Sequence, residues 1–107
     1  MSRIFPLAAL FAALALASSA AAATTAPVPR PAKLGLCAAC HGEDGRARTP
    51  GTPHLAGQDE AYLRAALGAY RSGARSAAPM NAVAGSLQAR DIEALARWYA
   101  SRPRAWR

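Results

Sequence analysis

The sequence predicts an all-α fold with long loops and a core too thin to stand unaided. Two stretches repeat apolar residues at helical spacing, and no stretch alternates far enough, with enough branched side chains, to propose a strand. Large apolar side chains are also scarce. Of the 107 residues 56 are apolar, yet 30 of those are alanine. A chain this short holds one domain at most, which excludes a two-domain or large-barrel enzyme.

Residues 1–23 read as a secretory signal peptide. Arg3 supplies the positive start, Phe5 to Ala17 the apolar middle, and Ser18 to Ala23 the small-residue end with its A-x-A pattern, so cleavage is expected near Ala20 to Ala23. Ile4 to Ala23 is also long enough for an uncleaved membrane anchor. Pro6, the paired serines and the A-x-A end favour cleavage.

Residues 24–32 form a Pro-rich leader, because prolines at 27, 29 and 31 exclude both helix and sheet pairing. The domain is expected over 33–107. Pro31 suits the first position of a helix running to about Cys40. Gly42 to Gly57, with four Gly and two Pro, reads as a long loop of the kind that wraps something functional. Asp59 is a good N-cap for a second helix with Leu63, Ala66, Leu67 and Tyr70 on one face, ended by Ser72-Gly73. Gly73 to Gly85, containing Pro79-Met80, reads as a second loop. A last helix is expected from about Ala89 to Ser101, with Ile92, Leu95, Ala96 and Tyr99 inward, before Pro103 stops it.

From Thr24 onward only 16 large apolar side chains remain, none of them Phe. A domain this poor in bulk needs a staple: a disulfide, a metal or a bound cofactor. Cys37 and Cys40 lie too close in sequence for a disulfide between them to close a useful loop.

The chemistry concentrates in Cys37-Ala38-Ala39-Cys40-His41. On a helix the two sulfurs project from one face with His41 beside them. Two thiols so placed can add across the vinyl groups of one haem while the neighbouring imidazole takes an axial position on its iron; C-x-x-C-H reads as c-type haem attachment. Three readings compete. A thioredoxin-like dithiol needs a strand-rich context. A zinc site would use Cys37, Cys40 and either His41 or His54, but the H-x3-5-H half is missing. The third is an ordinary disulfide. The export signal favours haem, which is attached outside the cytoplasm, and a haem would fill the missing apolar mass.

The segment from Lys33 to Ser101 resembles small class I c-type cytochromes of the soluble bacterial monohaem kind, similar to cytochrome c553 and to a single domain of cytochrome c4. The matching pieces are Cys37 to Gly42, Pro53-His54-Leu55-Ala56-Gly57-Gln58, Tyr62-Leu63, Gly73-Ala74-Arg75, Pro79-Met80 and Asp91 to Ala96. The resemblance implies the cytochrome c fold, about three main helices with long loops around one covalent haem c. It implies that Cys37 and Cys40 form the thioethers, that His41 and Met80 are the axial iron ligands, and that the Pro53 carbonyl accepts the free imidazole N–H of His41. Gly57 and Gln58 would shape the turn into the middle helix. Tyr62, Tyr70 and Trp98 are expected to pack, and His54 to be an exposed loop residue. The family's N-terminal helix crosses the last helix through a glycine against an aromatic. Here only six residues, Pro31 to Leu36, precede Cys37, so a looser crossing of Gly35 with Trp98 or Tyr99 is expected.

The function expected is that of a periplasmic carrier of single electrons, not an enzyme: with both axial positions filled by protein, no small-molecule substrate reaches the iron. The alternatives are an electron-transfer subunit of a larger oxidoreductase complex, a gas- or peroxide-responsive haem protein that releases Met80, and a secreted zinc or disulfide module. Without Arg3 the chain has 12 basic and 6 acidic residues. Residues 61–90 carry four Arg and no acid, as do residues 97–107. Nucleic acid is the usual partner for such a balance, but export removes it. Redox proteins with acidic docking faces are the expected partners, with membrane contact only through partner complexes.

Overall fold

The computed structural model describes residues 2–4, 12–18 and 26–104. Of the stretch read as an export signal, only 2–4 and 12–18 are therefore described, and the rest, with the expected cleavage site, lies outside the described residues. Among the described residues no helix is long and apolar enough to cross a membrane.

The described residues form four helices and no strand: α1 (Leu34–His41), α2 (Glu60–Ser72), α3 (Met80–Gly85) and α4 (Ala89–Ala100). Helix α1 starts three residues later than the proline signal suggests. Pro31 instead opens a turn, its carbonyl accepting from the Leu34 N–H at 3.1 Å. Helix α2 begins where its cap predicts: Asp59 Oδ2 accepts from the Tyr62 N–H at 2.8 Å, and Gly73 in the left-handed conformation ends it. Helix α4 has no Ser or Thr at its start. The carboxylate of Asp91 reaches back to accept from the Gln88 N–H at 2.9 Å, which fixes the first turn.

One expectation is corrected. The stretch from Gly73 to Gly85 is not loop throughout, because Met80–Gly85 forms the short helix α3 behind Pro79. Six residues dominated by small side chains present too little periodicity to reveal it. Its support is tertiary, since α2 packs on both α3 and α4.

The core is built of Leu34 and Cys37 from α1, Leu63 from α2, Leu87 before α4, and Ile92, Leu95, Ala96, Trp98 and Tyr99 from α4. The four residues predicted to face inward from α4 are all buried. Among the described residues only Leu34, Leu87 and Leu95 are large side chains that are completely enclosed, in keeping with the thin core read from composition. Gly35 faces open space: a Cβ built there meets nothing within 4 Å, so it makes no tight helix crossing.

The loop from 42 to 59 is folded on itself. The Gly45 carbonyl accepts from the N–H groups of Leu55 at 2.8 Å and Ala56 at 3.2 Å. Gly45 has φ +83° and a Cβ there would lie 2.5 Å from the Ala56 nitrogen, whereas Gly51, with φ +79°, has nothing within 4 Å. Gly51→Ala is therefore expected to cost only the left-handed backbone penalty, roughly 1–2 kcal/mol. Gly45→Ala should cost clearly more, because the added methyl meets backbone that cannot swing away. Chemical denaturation of the two variants measures the difference, and equal losses would show that the loop yields at Ala56.

Candidate functional site

Helix geometry sets the first half of the site. Cys37 and His41, four residues apart, are both buried on α1, and Cys40 beside them is half-buried. Both cysteines are free thiols. Burial pushes the Cys37 thiol up to about 11, so it is protonated at neutral pH and needs activation before it can add to an alkene.

The second half comes from the loop. His41 Nδ1 lies 2.8 Å from the Pro53 carbonyl oxygen. A carbonyl only accepts, so Nδ1 carries the proton and donates it. The tautomer is thereby set, and the lone pair on Nε2 is left to bind a metal. The sequence-predicted partners His41 and Pro53 are thus brought together across 12 residues. Met80 comes from a separate element, half-buried at the first position of α3.

Two aromatics of α4 hold the chain just after His41. The Tyr99 hydroxyl donates to the Gly42 carbonyl at 2.9 Å, and Trp98 Nε1–H donates to the Glu43 carbonyl at 2.8 Å. Desolvation, followed by the nearby Cys37, Glu43 and Asp44, raises the Tyr99 phenol well above its ordinary value, so it remains a donor. The Tyr99 carbonyl in turn accepts from the Gly57 N–H at 2.9 Å. The loop carrying Pro53 is therefore tied to α4 at both ends. Sequence reasoning gave Trp98 a packing role. It is buried, with the Arg102 guanidinium 3.9 Å over its ring, and the bond to Glu43 is an addition. A carbonyl acceptor 55 residues away leaves no trace in sequence.

His54 is exposed, as expected, and its Nδ1 accepts from the Ala47 N–H at 2.9 Å. Tyr70 is half-buried, whereas Tyr62 is half-exposed and stands outside the buried core. Among the described residues no three His, Cys, Asp or Glu side chains converge on one point that could hold a metal ion.

The donor set fits a c-type haem on its chemistry: two unpaired thiols one helical turn apart, and an imidazole presenting Nε2. The cytochrome c family profile matches residues 32–101. The chain is 43% identical over 72 residues to cytochrome c-554(548) of Halomonas halodenitrificans, covering 87% of that protein. It is 37% identical over 70 residues to cytochrome c4 of Pseudomonas aeruginosa, covering 35% of it. A thiosulfate dehydrogenase electron acceptor of Thiomonas intermedia is 34% identical over 100 residues, 92% of this chain and 46% of that protein. The chain therefore spans most of one relative and between a third and a half of the other two. With the all-α fold and the Cys37-Cys40-His41 cluster, these matches make the chain a member of the cytochrome c family, an electron carrier with one covalently held haem c.

Proposed function

We propose that His41 and Met80 are the two axial ligands, and that the chain works as an exported carrier in the periplasm. The observation that supports this most is the 2.8 Å contact from His41 Nδ1 to the Pro53 carbonyl, because it orients the ring and makes Nε2 the better donor. When bound, the haem supplies a single-electron couple, which a His/Met ligand pair biases toward a relatively high potential. Cys37 and Cys40 tether it. Met80, held behind Pro79, closes the distal side, so the chain excludes small substrates and acts as a carrier rather than an enzyme. Residues 1–23 serve as export signal, 24–32 as leader and 33–107 as the haem-carrying domain.

Redox proteins are the partners that this family role requires, and the arginine-rich segments suggest acidic docking faces. Opposite charge raises the encounter rate through a small, short-lived interface. Electron-transfer rates with the native partner should fall steeply as salt rises, because the field is screened beyond about 10 Å at 0.1 M. Stopped-flow kinetics across ionic strength measure this, and a flat or rising rate rejects steering. A second reading, a dedicated electron-accepting subunit of an oxidoreductase, is favoured by the likeness to the thiosulfate dehydrogenase acceptor over 92% of this chain. Co-purification of a catalytic subunit would select it.

A further inference from the structure

Residues 71–79, which lead from the end of α2 to Met80, are exposed at every position. Burial therefore does little to fix their path, and hydrogen bonds have to do it. Three of these come from one side chain. Asn81 Nδ2 donates to the Tyr70 carbonyl at 2.9 Å and to the Arg75 carbonyl at 2.7 Å, and its Oδ1 accepts from the Ala77 N–H at 2.9 Å. Two carbonyls on one side of the amide and an N–H on the other fix which atom is nitrogen. The Asn81 N–H also donates to the Ala77 carbonyl at 3.2 Å. The loop is further held by the Arg75 N–H on the Ala69 carbonyl at 3.1 Å and by the Arg75 guanidinium 4.8 Å over the Tyr70 ring.

We infer that Asn81 is a positioning residue for the distal side of the haem: its amide clamps the 73–79 loop to the last turn of α2 and so holds the adjacent Met80 in place. The inference rests on the reading of Met80 as an iron ligand. Asparagine suits the task because both donors and the acceptor are used at once by backbone groups at three points, Tyr70 in the last turn of α2 and Arg75 and Ala77 in the loop. No aspartate, serine or alanine can supply all three. Departure of Met80 is a local opening of the kind that exposed, thinly packed segments undergo, and the clamp sets the population of the open form.

The test is carbon monoxide binding to the reduced holoprotein. An exogenous ligand that binds only the open form has its apparent affinity scaled by the open fraction. Asn81→Ala should raise the CO affinity roughly tenfold, the equivalent of one or two net hydrogen bonds. Asn81→Asp, which keeps the acceptor but turns an oxygen toward two carbonyls, should raise it at least as much, and it decides the matter if the alanine variant yields no holoprotein. Asp91→Ala, which breaks the cap of α4 away from this loop, serves as a comparison for general destabilisation and should leave CO affinity near wild type. CO affinity in both Asn81 variants within about twofold of wild type would overturn the inference, as would an equal rise in Asp91→Ala. Met80→Ala separates the two claims. If it does not increase CO binding, the ligand assignment falls and the inference with it; if it does while the Asn81 variants stay unchanged, the clamp alone is wrong.

Discussion

Replacing Cys37 or Cys40 with alanine is expected to reduce the yield of folded holoprotein by roughly tenfold or more, since marginal domains lose abundance steeply as stability falls. The reason is the core. Among the described residues Leu34, Leu87 and Leu95 are its only large, fully enclosed side chains, and a domain of this size with so little apolar bulk cannot offset the conformational entropy of ordering its loops. The cofactor supplies the remaining surface to be buried. Its binding energy is then folding energy, as it is for other small cofactor-dependent domains. Cys37 carries a double load, because it is also a member of the buried cluster. Haem-stained gels and far-ultraviolet circular dichroism of exported protein measure the effect. Haem-free protein with full native helicity at wild-type yield would show that the chain folds without its tether.

Met80→Ala should leave haem attached and change what the iron does. Loss of a thioether ligand is expected to lower the midpoint potential by on the order of 0.2 V, within the range of about 0.8 V that axial ligands span. Reduced protein should then take up carbon monoxide readily, and oxidised protein cyanide. His54→Ala should do neither, because His54 is exposed and its Nδ1 is engaged by the Ala47 N–H. A potential and CO affinity equal to wild type in Met80→Ala would remove it from the ligand set. Met80 is the single methionine after residue 1, so no other thioether can substitute for it.

The parts of this molecule that could be read in sequence are those whose signal is local. Helix α4 was legible because Ile92, Leu95, Ala96 and Tyr99 recur at helical spacing, and α2 because Asp59 and Gly73 mark its two ends. The Cys37-Cys40-His41 cluster was legible because covalent chemistry demands fixed residue types at fixed spacing. Pro53 is different. Its contribution is a main-chain carbonyl, which no side-chain pattern reveals, and only the family resemblance singled it out. Helix α3 was missed because six residues, three of them Ala or Gly, are too few to show a periodic face. The bonds from Trp98 and Tyr99 to the carbonyls of Glu43 and Gly42 were invisible because they join groups more than fifty residues apart. The Asn81 clamp was invisible because an asparagine in a Gly/Pro-bounded loop suggests only a turn.

These long-range bonds bear on function. A carrier that exchanges electrons quickly gains from a site that changes little between redox states. Tyr99 and Trp98 hold the chain after His41, the Pro53 carbonyl holds the imidazole, and the Gly57 N–H returns the loop to α4. In the proposed ligation the proximal side is thus braced by groups from one loop and one helix, whereas the distal side depends on a short helix and an exposed loop. Ligand exchange, where it occurs, is expected on the Met80 side.

The most direct test of the central claim is an optical redox titration of the purified protein. A covalent haem c electron carrier should show one haem per chain and a single reversible transition that fits one electron throughout. A colourless protein, or a chromophore whose spectrum does not change reversibly with applied potential, would contradict it.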